Sequence, residues 1–112
     1  MVNIVKISIN GEMSDINIDS NEDYMTTLEN SCSDKGHGDI CKLYKWNYDN
    51  NDIIIYGWTE GVDSLKNVHC LPNNGEEIHK NICSNEIELY GDIIIIKQYN
   101  SKFIDIDSSE YG

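Results

Sequence analysis

A chain of 112 residues with eight lysines, no arginine and twenty carboxylates carries a formal charge of −12. It is too short for two independent cores and too acidic to favour phosphate backbones or anionic membrane faces. The missing arginine also removes the side chain best suited to bidentate recognition of carboxylate and phosphate, while 39% hydrophobic residues, with eighteen isoleucines, suffice for one packed core.

Residues 4–9 alternate in part, Asn10-Gly11-Glu12 signals a turn, and Asp15-Ile16-Asn17-Ile18-Asp19 alternates strictly. Together they predict an N-terminal hairpin over 3–19, half buried on one face. Ser20 can cap a helix over 21–32, with Glu22 and Asp23 at the positive end of its dipole. Tyr24, Leu28 and Cys32 recur every four residues, with Met25 beside them, and form its apolar stripe. Gly36-His37-Gly38 cannot sustain that helix and predicts a mobile link.

Residues 41–48 form the next strand, with Leu43, Lys45 and Asn47 on one face and Tyr44, Trp46 and Tyr48 on the other, the aromatic face being read as the buried one. Asp49-Asn50-Asn51-Asp52 is a turn of residues that tolerate left-handed backbone. It closes a hairpin over 41–58, whose second strand, Ile53-Ile54-Ile55-Tyr56, is apolar on both faces. From 62 to 88 the chain is polar and irregular, a long loop with turns of helix drawn at Val62–Leu65 and Glu76–Cys83. Ile93-Ile94-Ile95-Ile96 reads as a central strand covered on both faces. Strands over 92–99 and 102–107 flank a turn at Asn100-Ser101, the carboxylates of the last one suiting a sheet edge.

Hairpin, helix, hairpin, loop and two further strands make an α+β domain spanning 1–112, in the order of the β-grasp or ubiquitin-like architecture: about five to six strands on one short helix. An open α+β sandwich of another topology is the rival. The chain ends Tyr111-Gly112 without a diglycine tail, so a conjugated modifier is not expected.

Cys32, Cys41, Cys70 and Cys83 could pair in an exported protein. The first residues have neither the basic start nor the apolar core of a secretion signal, and no apolar run approaches the ~20 residues of a membrane-spanning helix. The expectation is an intracellular protein with reduced thiols. A zinc set can be drawn from Cys32, His37 and Cys41, joined by His69-Cys70, but their spacing matches none of the usual ligand knuckles. Structural thiols are the simpler reading, and no metal or cofactor is expected.

An enzyme would draw on His69, Cys70, Asp92 and His79. Adjacent His69 and Cys70 point to opposite faces of an extended segment, so Cys70 would need His79 or His37 as its base. The simpler reading has His69 pinning the loop and Asp92 capping the turn before the central strand.

Trp46-Asn47-Tyr48, Tyr56-Gly57-Trp58-Thr59-Glu60-Gly61, Asn67-Val68-His69-Cys70-Leu71-Pro72 and Leu89-Tyr90-Gly91-Asp92-Ile93 together resemble a family of small uncharacterised proteins of giant DNA viruses. The resemblance covers about residues 41–106 and departs from the family after Pro72, where a polar insert runs to Glu88. It implies a viral origin, in host cytoplasm or virion, and supplies no activity. The abundance of Ile, Asn, Lys and Asp, as from an AT-rich genome, agrees with that origin.

The reading is a non-enzymatic protein-interaction module whose partner is a protein, with electrostatics steering it towards basic ones, without direct nucleic-acid or membrane contact. Trp46, Tyr56, Trp58, Glu60, His69 and Leu71 are the candidate interface residues, with core packing as the competing role for Trp58. An acidic nucleic-acid mimic that sequesters a basic protein is the sharper alternative, and a small Cys/His-dependent enzyme the other.

Overall fold

A computed structural model of the chain describes residues 2–19, 24–48, 50–67 and 89–106. Six strands form one sheet: β1 (Val2–Ile7), β2 (Met13–Ile18), β3 (Cys41–Tyr48), β4 (Asn51–Trp58), β5 (Tyr90–Tyr99) and β6 (Lys102–Ile104). Among the described residues one α-helix, α1 (Tyr24–Asn30), follows β2, and a 3-10 turn at Asp63–Leu65 follows β4. No described helix is long and apolar enough to cross a membrane.

The strand order is β2-β1-β5-β4-β3, and every pair is antiparallel. That includes β1 against β5, where Val5 faces Ile95 and Ile7 faces Ile93. A β-grasp sheet has a parallel central pair at this place, so what stands is the α+β class: a six-stranded antiparallel sheet with one helix. Lys97 and Gln98 pair with both β4 and β6, which puts β6 on the same side of β5 as β1. There the chain knits onto β1, the Ile106 N–H donating to the Asn3 carbonyl at 3.1 Å.

The isoleucine run works because β5 is central and its side chains alternate between two buried faces. Ile94 and Ile96 join Ile4, Ile18, Leu28, Ile54, Tyr56 and Trp58 on the helix side. Ile93 and Ile95 join Val5, Ile7, Ile53, Ile55, Leu89 and Ile106 on the other. β-branched chains suit this position, since their restricted rotamers lose little on a pleated surface with neighbours on every side.

The helix is seven residues long and lies inside the 21–32 window, of which 21–23 fall outside the described residues. Leu28 is its buried residue, and Cys32, past the helix end, remains in the same core. Tyr24 packs edge-on against Phe103, ring centroids 5.0 Å apart, and against Tyr56 at 6.4 Å. So short a helix has little stability of its own; its hold is this packing.

Left-handed backbone occurs at Gly11, Gly38, Asn50, Gly91, Asn100 and Ser101 among the described residues. Asn100 and Ser101, at φ 50° and 65°, make the two-residue link between Tyr99 and Lys102, the geometry that matches strand twist in hairpins. Gly91, within β5, adopts the same left-handed region at φ 71°.

Candidate functional site

Asp92, Lys6, Asn67 and Cys32 gather where β1 and β5 meet the loop after α1. Asp92 lies on β5 and is 1% exposed. Its Oδ2 accepts the backbone N–H of Ser33 at 2.8 Å and that of Asp34 at 3.4 Å. Its own N–H donates to the Asp34 carbonyl at 2.8 Å. Lys6 Nζ, on β1, lies 3.9 Å from the same Oδ2, while Oδ1 is buried with no hydrogen-bond partner. An unmatched buried acceptor costs about 1–3 kcal/mol, so the cluster is held by its other contacts.

Asn67 supplies the second buried polar group. Its Nδ2 donates to the Ile7 carbonyl at 3.1 Å and to the Gly91 carbonyl at 3.0 Å, and its N–H reaches the Leu89 carbonyl at 2.8 Å. It therefore sews the end of β1 to the start of β5, where the ladder between them has stopped.

Cys32 completes this group. Burial, then the Asp92 charge, pushes its thiol up to about 12, against the opposing pull of Lys6 and Lys35. The thiol donates to the Leu28 carbonyl at 3.4 Å. A thiol so placed stays protonated at neutral pH and is a poor nucleophile.

The segment over Gly36-His37-Gly38, expected to be mobile, is fastened to the sheet instead. The His37 N–H donates to the Glu60 carbonyl at 2.7 Å, and Trp58 Nε1 donates to the Gly38 carbonyl at 3.1 Å. Lys35 bridges to Gly91. A Cβ on Gly36 would collide with the Trp58 side chain and the Glu60 carbonyl, so glycine here serves close approach. The expected role of Asp92 changes likewise: it caps the loop after α1, 58 residues away, rather than the turn before its own strand.

Among the interface candidates, Tyr56 and Trp58 are core residues, 3% and 1% exposed. They fill the helix-side cluster and offer no surface, which corrects their placement in an interface. Burial, then contact with Tyr24, raises the Tyr56 phenol above its ordinary range. Glu60 is exposed. Trp46 pairs with Ile53 in the β3–β4 ladder, and the side chains of Tyr44, Trp46 and Tyr48 lie outside the description, as do His69, Cys70, Leu71, His79, Cys83 and the turn at Glu76–Cys83. Of the metal candidates, Cys32 is buried while His37 and Cys41 are exposed, and Cys41 Sγ donates to the Gly57 carbonyl at 3.4 Å. Among the described residues no three His, Cys, Asp or Glu side chains form a metal-holding group.

The outer surface has a second feature. Glu12, Asp15, Asp19 and Asp105 are exposed at the β2 side of the sheet. Asn3 draws two of them together: its Nδ2 donates to Asp15 Oδ1 at 3.1 Å and its backbone N–H to Asp105 Oδ1 at 2.8 Å. The opposite edge, β3, carries exposed Lys42 and Lys45, the latter 3.7 Å from Asp52. The alternation in 15–19 signals these outward carboxylates, but nothing in sequence brings Asp105 to them.

No protein-family model, curated protein or solved structure matches this chain.

Proposed function

We propose that this chain is a non-enzymatic protein-interaction module whose partner is a basic protein, a viral accessory or virion component by the resemblance of its motifs. The observation that carries the reading is the acidic side of the sheet, where Glu12, Asp15 and Asp19 are exposed in and beside β2 and Asn3 joins Asp105 to Asp15. A field of one sign steers an oppositely charged partner and rejects like-charged ones. Three of the described polar groups serve the fold: Asp92 and Asn67 tie backbone segments together, and the Cys32 thiol is buried.

Affinity capture of the tagged protein from host cells tests the reading. The expected result is a recovered protein with a basic surface that elutes as salt is raised, because screening shortens the reach of exposed charges from about 10 Å at 0.1 M to about 3 Å at 1 M. Recovery of nothing above background, or of a partner whose retention ignores salt, counts against it.

A further inference from the structure

Resting on the interaction reading above, we propose that the outer edge of β2 receives the partner as an added antiparallel or parallel strand: an extended segment in which lysine or arginine alternates with apolar residues. Three observations lead there.

The sheet ends at β2 on one side and β3 on the other, and among the described residues no strand pairs with the outer side of either. A terminal strand presents a row of backbone donors and acceptors that another chain can complete.

The two edges differ. β3 is broken by a register shift between Lys42 and Tyr44, and its exposed Lys42 and Lys45 add the second device that guards an edge against pairing. β2 keeps register with β1 over six consecutive pairs, Val2 with Ile18 through Ile7 with Met13, and so offers a regular ladder.

The side chains on β2 specify the incoming sequence. Asp15 and Asp19 are exposed on the face where Asn17 lies between them, and no lysine occurs from Ser8 to Asp19. Directly opposed side chains in neighbouring strands interact, and opposite charges favour the pair. Basic residues at alternate positions of the added strand meet these carboxylates, with Asp105 drawn to the same place through Asn3. The intervening positions fall on the other face beside Ile16, which is only partly buried against the helix-side core. Apolar residues there extend that cluster.

The test uses the full chain and a ten-residue peptide alternating lysine with valine, with backbone hydrogen exchange as the map and fluorescence anisotropy as the titration. The expected result is saturable binding that protects amides in Met13–Ile18. Reversal of Asp15 and Asp19 to lysine weakens it at least tenfold, and reversal of Lys42 and Lys45 to glutamate does not. A peptide of equal charge with proline in place of alternate valines lacks ladder donors and binds at least tenfold more weakly. Binding that leaves 13–18 unprotected, or that tolerates the prolines, overturns strand addition while leaving the interaction reading intact. Absence of binding overturns it as well, and the capture experiment then judges the broader reading separately. Protection of 13–18 by self-association of the protein alone would assign the edge to a second copy and equally overturn the proposal.

Discussion

The Ser33 N–H donates to Asp92 Oδ2 at 2.8 Å across 59 residues of sequence, and this bond joins the loop after the helix to the central strand. Around it Lys6 contributes charge and Asp34 a second N–H. The helix is held to the sheet both by Leu28 in the core and by this polar anchor.

Replacing Asp92 with alanine is expected to cost about 2–4 kcal/mol, because two loop amides lose their acceptor and Lys6 its counter-charge in a largely buried place. Asp92→Asn keeps one acceptor oxygen for the loop amides and should cost less. Urea unfolding at neutral pH distinguishes the two, and equal losses would show that the loop amides do not depend on the acceptor.

Gly91 and Gly38 have similar backbones, φ 71° and 79°, but a Cβ at Gly91 would lie 2.6 Å from the Asp34 carbonyl oxygen while one at Gly38 meets nothing within 4 Å. Gly38→Ala should lose only the left-handed penalty of about 1–2 kcal/mol. Gly91→Ala should lose roughly 2 kcal/mol more through overpacking against backbone. Thermal or denaturant melts of the two variants measure the difference directly, and a smaller loss for Gly91→Ala would contradict the close approach.

Cys32 predicts a pH dependence. Its thiol, with an ordinary value of 9.0, is raised to about 12 in the folded protein, so folding favours the protonated form. That stability is complete below pH 9.0 and is lost as pH rises towards about 12. Within this window the slope is about 1.4 kcal/mol per pH unit for one proton. Cys32→Ala should flatten the stability profile over that range by up to one proton, although Tyr56, also raised, keeps part of the slope. In native alkylation followed by peptide mapping, exposed Cys41 should label well before Cys32.

Ser101 occupies a left-handed conformation at φ 65° in the Asn100-Ser101 turn. Ser101→Gly creates the Asn-Gly pair that such hairpins favour and should stabilise the protein by about 0.5–1 kcal/mol. A shift of the unfolding midpoint to higher urea at constant m-value checks it; a shift to lower urea would mean that the serine side chain holds the turn.

What the sequence by itself determined follows from period and composition. The alternation in Asp15–Asp19 sets a strand with Ile16 and Ile18 turned to one side, and four isoleucines in a row require a strand with both faces covered. Asn100-Ser101 can only turn, and the excess of carboxylates fixes the sign of the surface. These are local properties, legible because side-chain direction in a strand repeats every two residues and turn residues act on their own backbone.

What only the tertiary structure decided depends on partners distant in the chain. The direction of β1 against β5 is one such matter, since hydrophobic alternation is the same for parallel and antiparallel neighbours. Tyr56 and Trp58 are buried by elements distant in the chain, Tyr24 packing on the first and the Gly36-His37-Gly38 segment lying against the second. In sequence Gly36-His37-Gly38 reads as a free link because the residues that fasten this segment, Glu60, Trp58 and Gly91, lie 20 or more positions away. Asp92 looked like a local cap for the same reason. Hydrogen bonds across such separations leave no periodicity to read, and burial of a polar side chain is set by whichever backbone groups the fold brings to it.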